Sequence, residues 1–203
     1  MAGQRQVFCP PEKTRVIFVE GFDDLRVVKQ ICRNGEFNDI QVVAYAELGT
    51  LGDYLDLFVR HDKFQLVEKV GLTKDADNNF AAAQQSLGSA WARANGILAS
   101  LILPMPQHST FVVPDNSSNG RMEDICIASP TFPAILGCAQ TLLTCATPHA
   151  TYAIDQQKAV VAGYLSMMRN AGLNLGAGAE TGCWDLNSPA FTPLREFVHS
   201  VCT

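Results

Sequence analysis

The chain has little charge, few aromatics and no long hydrophobic run, and each shortage narrows what it can be. Charged residues make up 17% of its 203 residues and the formal net charge is −5. It therefore lacks the basic surplus with which proteins coat nucleic acid by counterion release, and any attraction to nucleic acid has to come from metal ions and a local patch. Aromatics are 8%, with no basic–aromatic interleaving, which speaks against a face that stacks single-stranded bases. No apolar run approaches the ~20 residues of a membrane span, and the start Met1-Ala2-Gly3-Gln4-Arg5 lacks a signal-peptide core. A cytoplasmic chain with no membrane association is expected. The seven cysteines are an odd number without a C-x-x-C pair, and the four histidines are scattered. Neither a disulfide framework nor a structural zinc site fits that usage. A G-x-x-x-x-G-K-[ST] phosphate loop and a G-x-S-x-G nucleophile elbow are absent as well.

What is present is apolar: 47% hydrophobic residues, enough for one substantial core. Short β-branched runs alternate with helical patterns, the signature of a parallel sheet with crossover helices. Strands are predicted at Val16–Val19, Asp39–Ala44, Lys69–Lys74 and Ser109–Val113. Helices are predicted from Asp23, as N-cap, to about Arg33, from Leu48 to Val59, and from Asn79 to Leu98. Beyond Ala128 the pattern is helical, over Pro133–Cys145, Asp155–Asn170 and a last amphipathic stretch carrying Phe191, Leu194, Phe197, Val198 and Val201. The expected architecture is α/β, a mostly parallel four-stranded sheet flanked by helices. Residues 1–130 form the core, and residues 131–203 a helical extension packed on it as a single unit. Gly176-Ala177-Gly178-Ala179-Glu180-Thr181 reads as a flexible turn, and Trp91 and Trp184 as packing residues.

Three acidic clusters punctuate this pattern. Glu20-Gly21-Phe22-Asp23-Asp24 follows the first strand, Asp75-Ala76-Asp77 follows the third, and Glu123-Asp124 comes after the fourth strand and the stretch Asp115 to Gly120. In an open α/β sheet, ligands bind at the carboxyl ends of the strands. Carboxylates gathered there repel one another unless a hard divalent cation neutralises them. Each cluster also has a plainer reading. Asp23 and Asp24 suit a helix N-terminus, D-x-D suits a loop and a cap, and Glu123-Asp124 suits a charged first helical turn. Glu20 is the acid those readings explain least, because it ends an apolar run ahead of the helix.

These residues resemble the Toprim superfamily, with a Glu after the first strand and Asp-x-Asp after a later one. Phe18-Val19-Glu20-Gly21-Phe22-Asp23-Asp24 is similar to its first motif and Asp75-Ala76-Asp77 to its second. More closely, the chain resembles an uncharacterised Toprim-like group akin to the nuclease part of overcoming-lysogenization-defect proteins. Pro114-Asp115-Asn116, Gly120-Arg121-Met122-Glu123-Asp124, Lys158-Ala159 and Gly182-Cys183-Trp184-Asp185 add to the match. The resemblance implies metal binding by Glu20, Asp24, Asp75, Asp77 and Glu123, with one or two Mg2+ or Mn2+ ions, and a charge-stabilising role for Lys158. Read by itself, Lys158 is an exposed lysine on an amphipathic helix. The chain departs from the resemblance at Arg121, where the third motif usually carries Ser or Thr. The expected function is metal-dependent phosphodiester hydrolysis on DNA or RNA, with Glu20 as general base or ligand. The competing expectation is a non-catalytic module on the same scaffold. Since the chain has no phosphate loop, any ATPase partner acts in trans.

Overall fold

Strands that are apolar on both sides need cover on both faces, and the fold supplies it. The computed structural model describes residues 8–46, 49–150, 153–169 and 174–203. In chain order β1 (Arg15–Val19), α1 (Phe22–Asn34), β2 (Gln41–Ala44), α2 (Leu51–Val59), β3 (Lys69–Asp75), α3 (Phe80–Ser100) and β4 (Gln107–Val113) alternate. Helices α4 (Met122–Ile127), α5 (Pro133–Ala146), α6 (Gln156–Ser166), α7 (Leu175–Glu180) and α8 (Thr192–Cys202) follow. The four strands are all parallel in the order β2-β1-β3-β4. This is the expected α/β architecture. Leu48 and Asn170, expected at helix ends, lie outside the described residues.

Side chains of a strand alternate between faces, and the two cores divide accordingly. Val16 and Phe18 of β1, Val70 and Leu72 of β3 and Val112 of β4 pack with α2 and α3 around Phe58, Leu87 and Trp91. Ile17, Val19, Phe111 and Val113 pack on the other side with α1 and α4–α8. Residues 131–203 therefore do more than extend a finished core, because α8 lies directly on the sheet. Phe197 stacks on Phe111, with ring centroids 5.3 Å apart. A Cβ on Gly71 would meet Phe197 Cζ and Val201 Cγ2 at 2.9 Å, so glycine in mid-strand is the condition for that close approach.

Two local expectations change. Asp23 does not cap α1. Gly21 occupies the cap, and Asp24 Oδ2 accepts its N–H at 2.9 Å. Asp23 Oδ1 instead accepts the Gly176 N–H at 3.1 Å, tying α1 to α7. The glycine-rich stretch at 176–181 is not a flexible turn. It forms the buried helix α7, capped by Asn174 Oδ1, which accepts from Ala177 N–H at 2.9 Å. Small residues are needed there: a Cβ on Gly178 would meet the Trp184 indole at 2.7 Å, and one on Gly176 would meet Arg26 Cβ at 2.8 Å. Among the described residues no disulfide forms, and no helix is long and apolar enough to cross a membrane.

Candidate functional site

Because β2 lies on one side of β1 and β3 on the other, the chain reverses direction across the sheet between β1 and β3. That reversal is the topological switch point, and outside the carboxyl ends of the strands there is the crevice position where open α/β sheets bind ligands. Glu20 follows β1 there and Asp75 ends β3. Glu20 Oε2 accepts the Asp75 backbone N–H at 3.4 Å and lies 3.5 Å from Lys74 Nζ. Below them the Tyr45 hydroxyl, buried at the end of β2, donates to Thr73 O at 3.3 Å. Burial, with the charges of Glu20, Asp75 and Asp24, pushes the Tyr45 hydroxyl far above its ordinary range.

Asp24 reaches the crevice from the first turn of α1. Its Oδ2 is engaged by Gly21 N–H, so the plainer helix-terminus reading holds for one oxygen. Burial raises Asp24 to about 7, the Gly21 hydrogen bond opposes that rise, and the charges of Glu123, Glu20 and Asp23 add to it. Burial raises Asp75 to about 8, with Asp24, Glu20, Glu123 and Asp77 contributing. The charges of Glu20 and Glu123 therefore act on both Asp24 and Asp75, and that of Asp24 acts on Asp75.

The other expected residues sit farther out. Asp77 is exposed, in a left-handed conformation with φ of 48°, and it exchanges backbone hydrogen bonds with Gly120 at 2.9 Å in both directions. Its Oδ1 pairs with Arg121 Nε at 3.2 Å. Lys158 is exposed on α6. The Asp155 side chain accepts its backbone N–H at 3.1 Å, and its charge acts on Asp155, which is held below the ordinary carboxylate range mainly by Arg121. Asp124 serves α4, its Oδ2 accepting the Arg121 N–H at 2.8 Å. Asp115 organises the loop after β4. It accepts from Ser117 and Ser118 N–H at 2.9 and 2.7 Å and from both hydroxyls, and it is held down at about 2, chiefly by the Ser118 hydroxyl.

The chain matches the family described as "Protein of unknown function (DUF3226)" over residues 14–203. It belongs to that family. Neither a curated protein nor a solved structure matches it. The DUF3226 match runs from just ahead of β1 through α8, so the whole acidic edge lies inside it.

The donors gathered here are carboxylate oxygens, the set that suits Mg2+ or Mn2+ rather than zinc. Among the described residues no group of three or more acidic, histidine or cysteine side chains stands where it could hold a metal ion. The positions explain why. The acids repel, Asp24 Oδ2 is turned to its cap, and Lys74 and Arg121 stand against Glu20 and Asp77. The donor chemistry fits a hard cation, and closure onto one requires these acids to exchange protons and lysine for the ion. Sequence reasoning overlooked Lys74 and Tyr45. The available signals were a cation placed directly before Asp75 and an aromatic hydroxyl ending the β2 run.

Proposed function

We propose that this protein is a metal-dependent phosphodiester hydrolase of Toprim-like type acting on nucleic acid, with Mg2+ or Mn2+ held at Glu20, Asp24, Asp75 and Glu123 and with Asp77 at its rim. The observation that carries this reading is the meeting of half-buried, mutually repelling carboxylates at the β1–β3 crevice, with Asp24 and Asp75 raised to about 7 and about 8. Such an arrangement destabilises the fold, and a divalent cation is the ligand that removes the repulsion. A cation bound there supplies the charge that polarises a phosphoryl oxygen and lowers the pKa of an attacking water.

The chain's own groups then divide the remaining work. Glu20, half-buried and oriented by the Asp75 N–H, either ligates the ion or accepts a proton from the water. Lys74, 3.5 Å from Glu20, carries a positive charge at the mouth of the crevice and stabilises a phosphate bound there. Tyr45 closes the floor against solvent.

Calorimetric titration of Mn2+ into wild type and Asp75→Asn, beside cleavage of plasmid and of single-stranded DNA and RNA, tests the proposal. Binding and metal-dependent cleavage in wild type, both lost in the variant, are expected. Absence of Mn2+ binding by wild type refutes the metal site. Binding without cleavage of any substrate transfers the site to a non-catalytic module that works beside a separate ATPase or nucleic-acid-processing partner.

A further inference from the structure

A guanidinium divides the acids at this edge into two sets. The backbone bridge between Asp77 and Gly120 stitches the loop after β3 to the loop after β4. Asn119 reinforces it, its Oδ1 accepting the Phe80 N–H at 2.8 Å and its Nδ2 donating to Asn78 O at 3.1 Å. Arg121 directly follows Gly120, so this bridge sets where its side chain starts. From there Nε reaches Asp77 Oδ1 at 3.2 Å, and Nη1 donates to Asp155 Oδ2 at 2.7 Å at the start of α6. Its charge also acts with Glu123. Nη2 has no acceptor among the described residues, and the side chain is 26% exposed, so one edge of the fork remains open to a ligand.

Glu20, Asp24, Asp75 and Glu123 form the second set, and among the described residues the one cation in an ion pair with it is the Lys74 amine, 3.5 Å from Glu20. A primary amine on a flexible stem gives way to a metal ion readily, whereas a guanidinium keeps its proton under all ordinary conditions and is held here by two carboxylates. A second divalent ion beside Asp77 would meet a fixed positive charge.

We infer that the crevice takes one divalent cation per chain, against Glu20, Asp24, Asp75 and Glu123, and that the Arg121 guanidinium is a further positive charge, beside the ion and Lys74, presented to a bound phosphate group. This rests on the metal-dependent reading above and adds its stoichiometry and its anion anchor. The planar fork suits a phosphate, whose oxygens accept from adjacent N–H groups. Asp155 and Asp77 position it, and the stitched loops keep it beside the ion.

The experiment counts Mn2+ bound per full-length chain by calorimetry and electron paramagnetic resonance, then measures inorganic phosphate binding to the Mn2+-loaded protein. Wild type is expected to bind one ion. Arg121→Ala is expected to accept a second, weaker ion through the released Asp77, and to lose phosphate affinity about tenfold, in line with removal of a charged hydrogen bond. Arg121→Lys keeps the charge without the fork, so it stays at one ion with intermediate phosphate affinity. Asp155→Asn keeps the guanidinium and stays at one ion, which separates loss of Arg121 from loosening of the loop. Two ions in wild type overturn the inference and leave the metal reading intact. One ion in both wild type and Arg121→Ala, with unchanged phosphate affinity, overturns it too. Absence of any bound ion in wild type defeats the metal reading itself.

Discussion

Raising the pH of the metal-free protein from 5 to 7 should destabilise it, and Asp75→Asn should remove much of that loss. In the unfolded chain an aspartate ionises near 3.9. In the folded chain Asp24 holds its proton to about 7 and Asp75 to about 8. Across this interval the folded state binds more protons than the unfolded state, so stability falls as pH rises. Each group contributes about 1.4 kcal/mol per pH unit, so the two together give at most about 5 kcal/mol between pH 5 and 7. The side chains are half-buried and titrate as a pair, and water at the crevice screens them. The net fall expected is about 2 kcal/mol, a drop of about 4–8 °C in melting temperature for a chain of this size. His108, lowered by burial, acts in the opposite sense over part of the range, but it is present in both proteins and cancels in their difference. Urea denaturation in EDTA, followed through the buried Trp91 and Trp184, should give stabilities for wild type and Asp75→Asn that agree most closely near pH 4, where an unfolded aspartate still holds much of its proton. At pH 7.5 the variant should be more stable by about 1 kcal/mol, because it lacks the charge that is costly to bury. A variant that tracks wild type across the range, or falls below it at pH 7.5, would refute the electrostatic account of the crevice.

Gly71→Ala should lower stability by about 1–3 kcal/mol, since its Cβ would meet Phe197 and Val201 at 2.9 Å in a packed core; thermal melts check this. Gly120→Ala should destabilise by a similar amount, with φ of 144° and Asp124 Oδ2 2.9 Å from the new carbon. Hydrogen exchange should show its effect centred on the Asp77–Gly120 bridge. Phe58→Ala, removing a fully buried ring that meets Phe18 edge-on at 4.9 Å, should cost about 3–5 kcal/mol in denaturant titrations. Ser118→Ala should raise the Asp115 pKa toward the ordinary carboxylate value by removing its strongest hydrogen bond, a change that NMR titration of the carboxyl resolves.

The sheet was legible because Val16–Val19 and Phe111–Val113 are apolar runs too short for helices, and turn residues bound them. Placement of Glu20 and Asp75 followed from the same logic, since a residue that ends a parallel strand stands at the ligand-binding edge. Helix α7 escaped notice because glycine and alanine carry little periodic signal. The reason for those residues lies in Trp184 and in Arg26, which α1 brings from far upstream in the chain. Asp23 was expected to cap α1 because a sequence shows only an acid at a helix start, and the arrival of α7, which gives Asp23 a different partner, has no local signal. The pairing of Arg121 with Asp77 and Asp155 depends on loops meeting across the sheet edge, which no local pattern encodes.

The central strands raise a question of alignment. Val16 to Val19 are buried on both faces, so sliding β1 by one residue would expose no apolar side chain, and polarity does little to forbid it. Shape and one buried hydroxyl supply the restriction. Ile17 stands opposite Gly71, where the missing side chain admits α8, and the Thr73 hydroxyl donates to Phe18 O at 3.1 Å. These contacts act as a ruler for the strand ends above them. The separation of Glu20 from Asp75 is thus decided deep in the sheet, and the spacing of the acids can be adjusted through Gly71 and Thr73 with every carboxylate left in place.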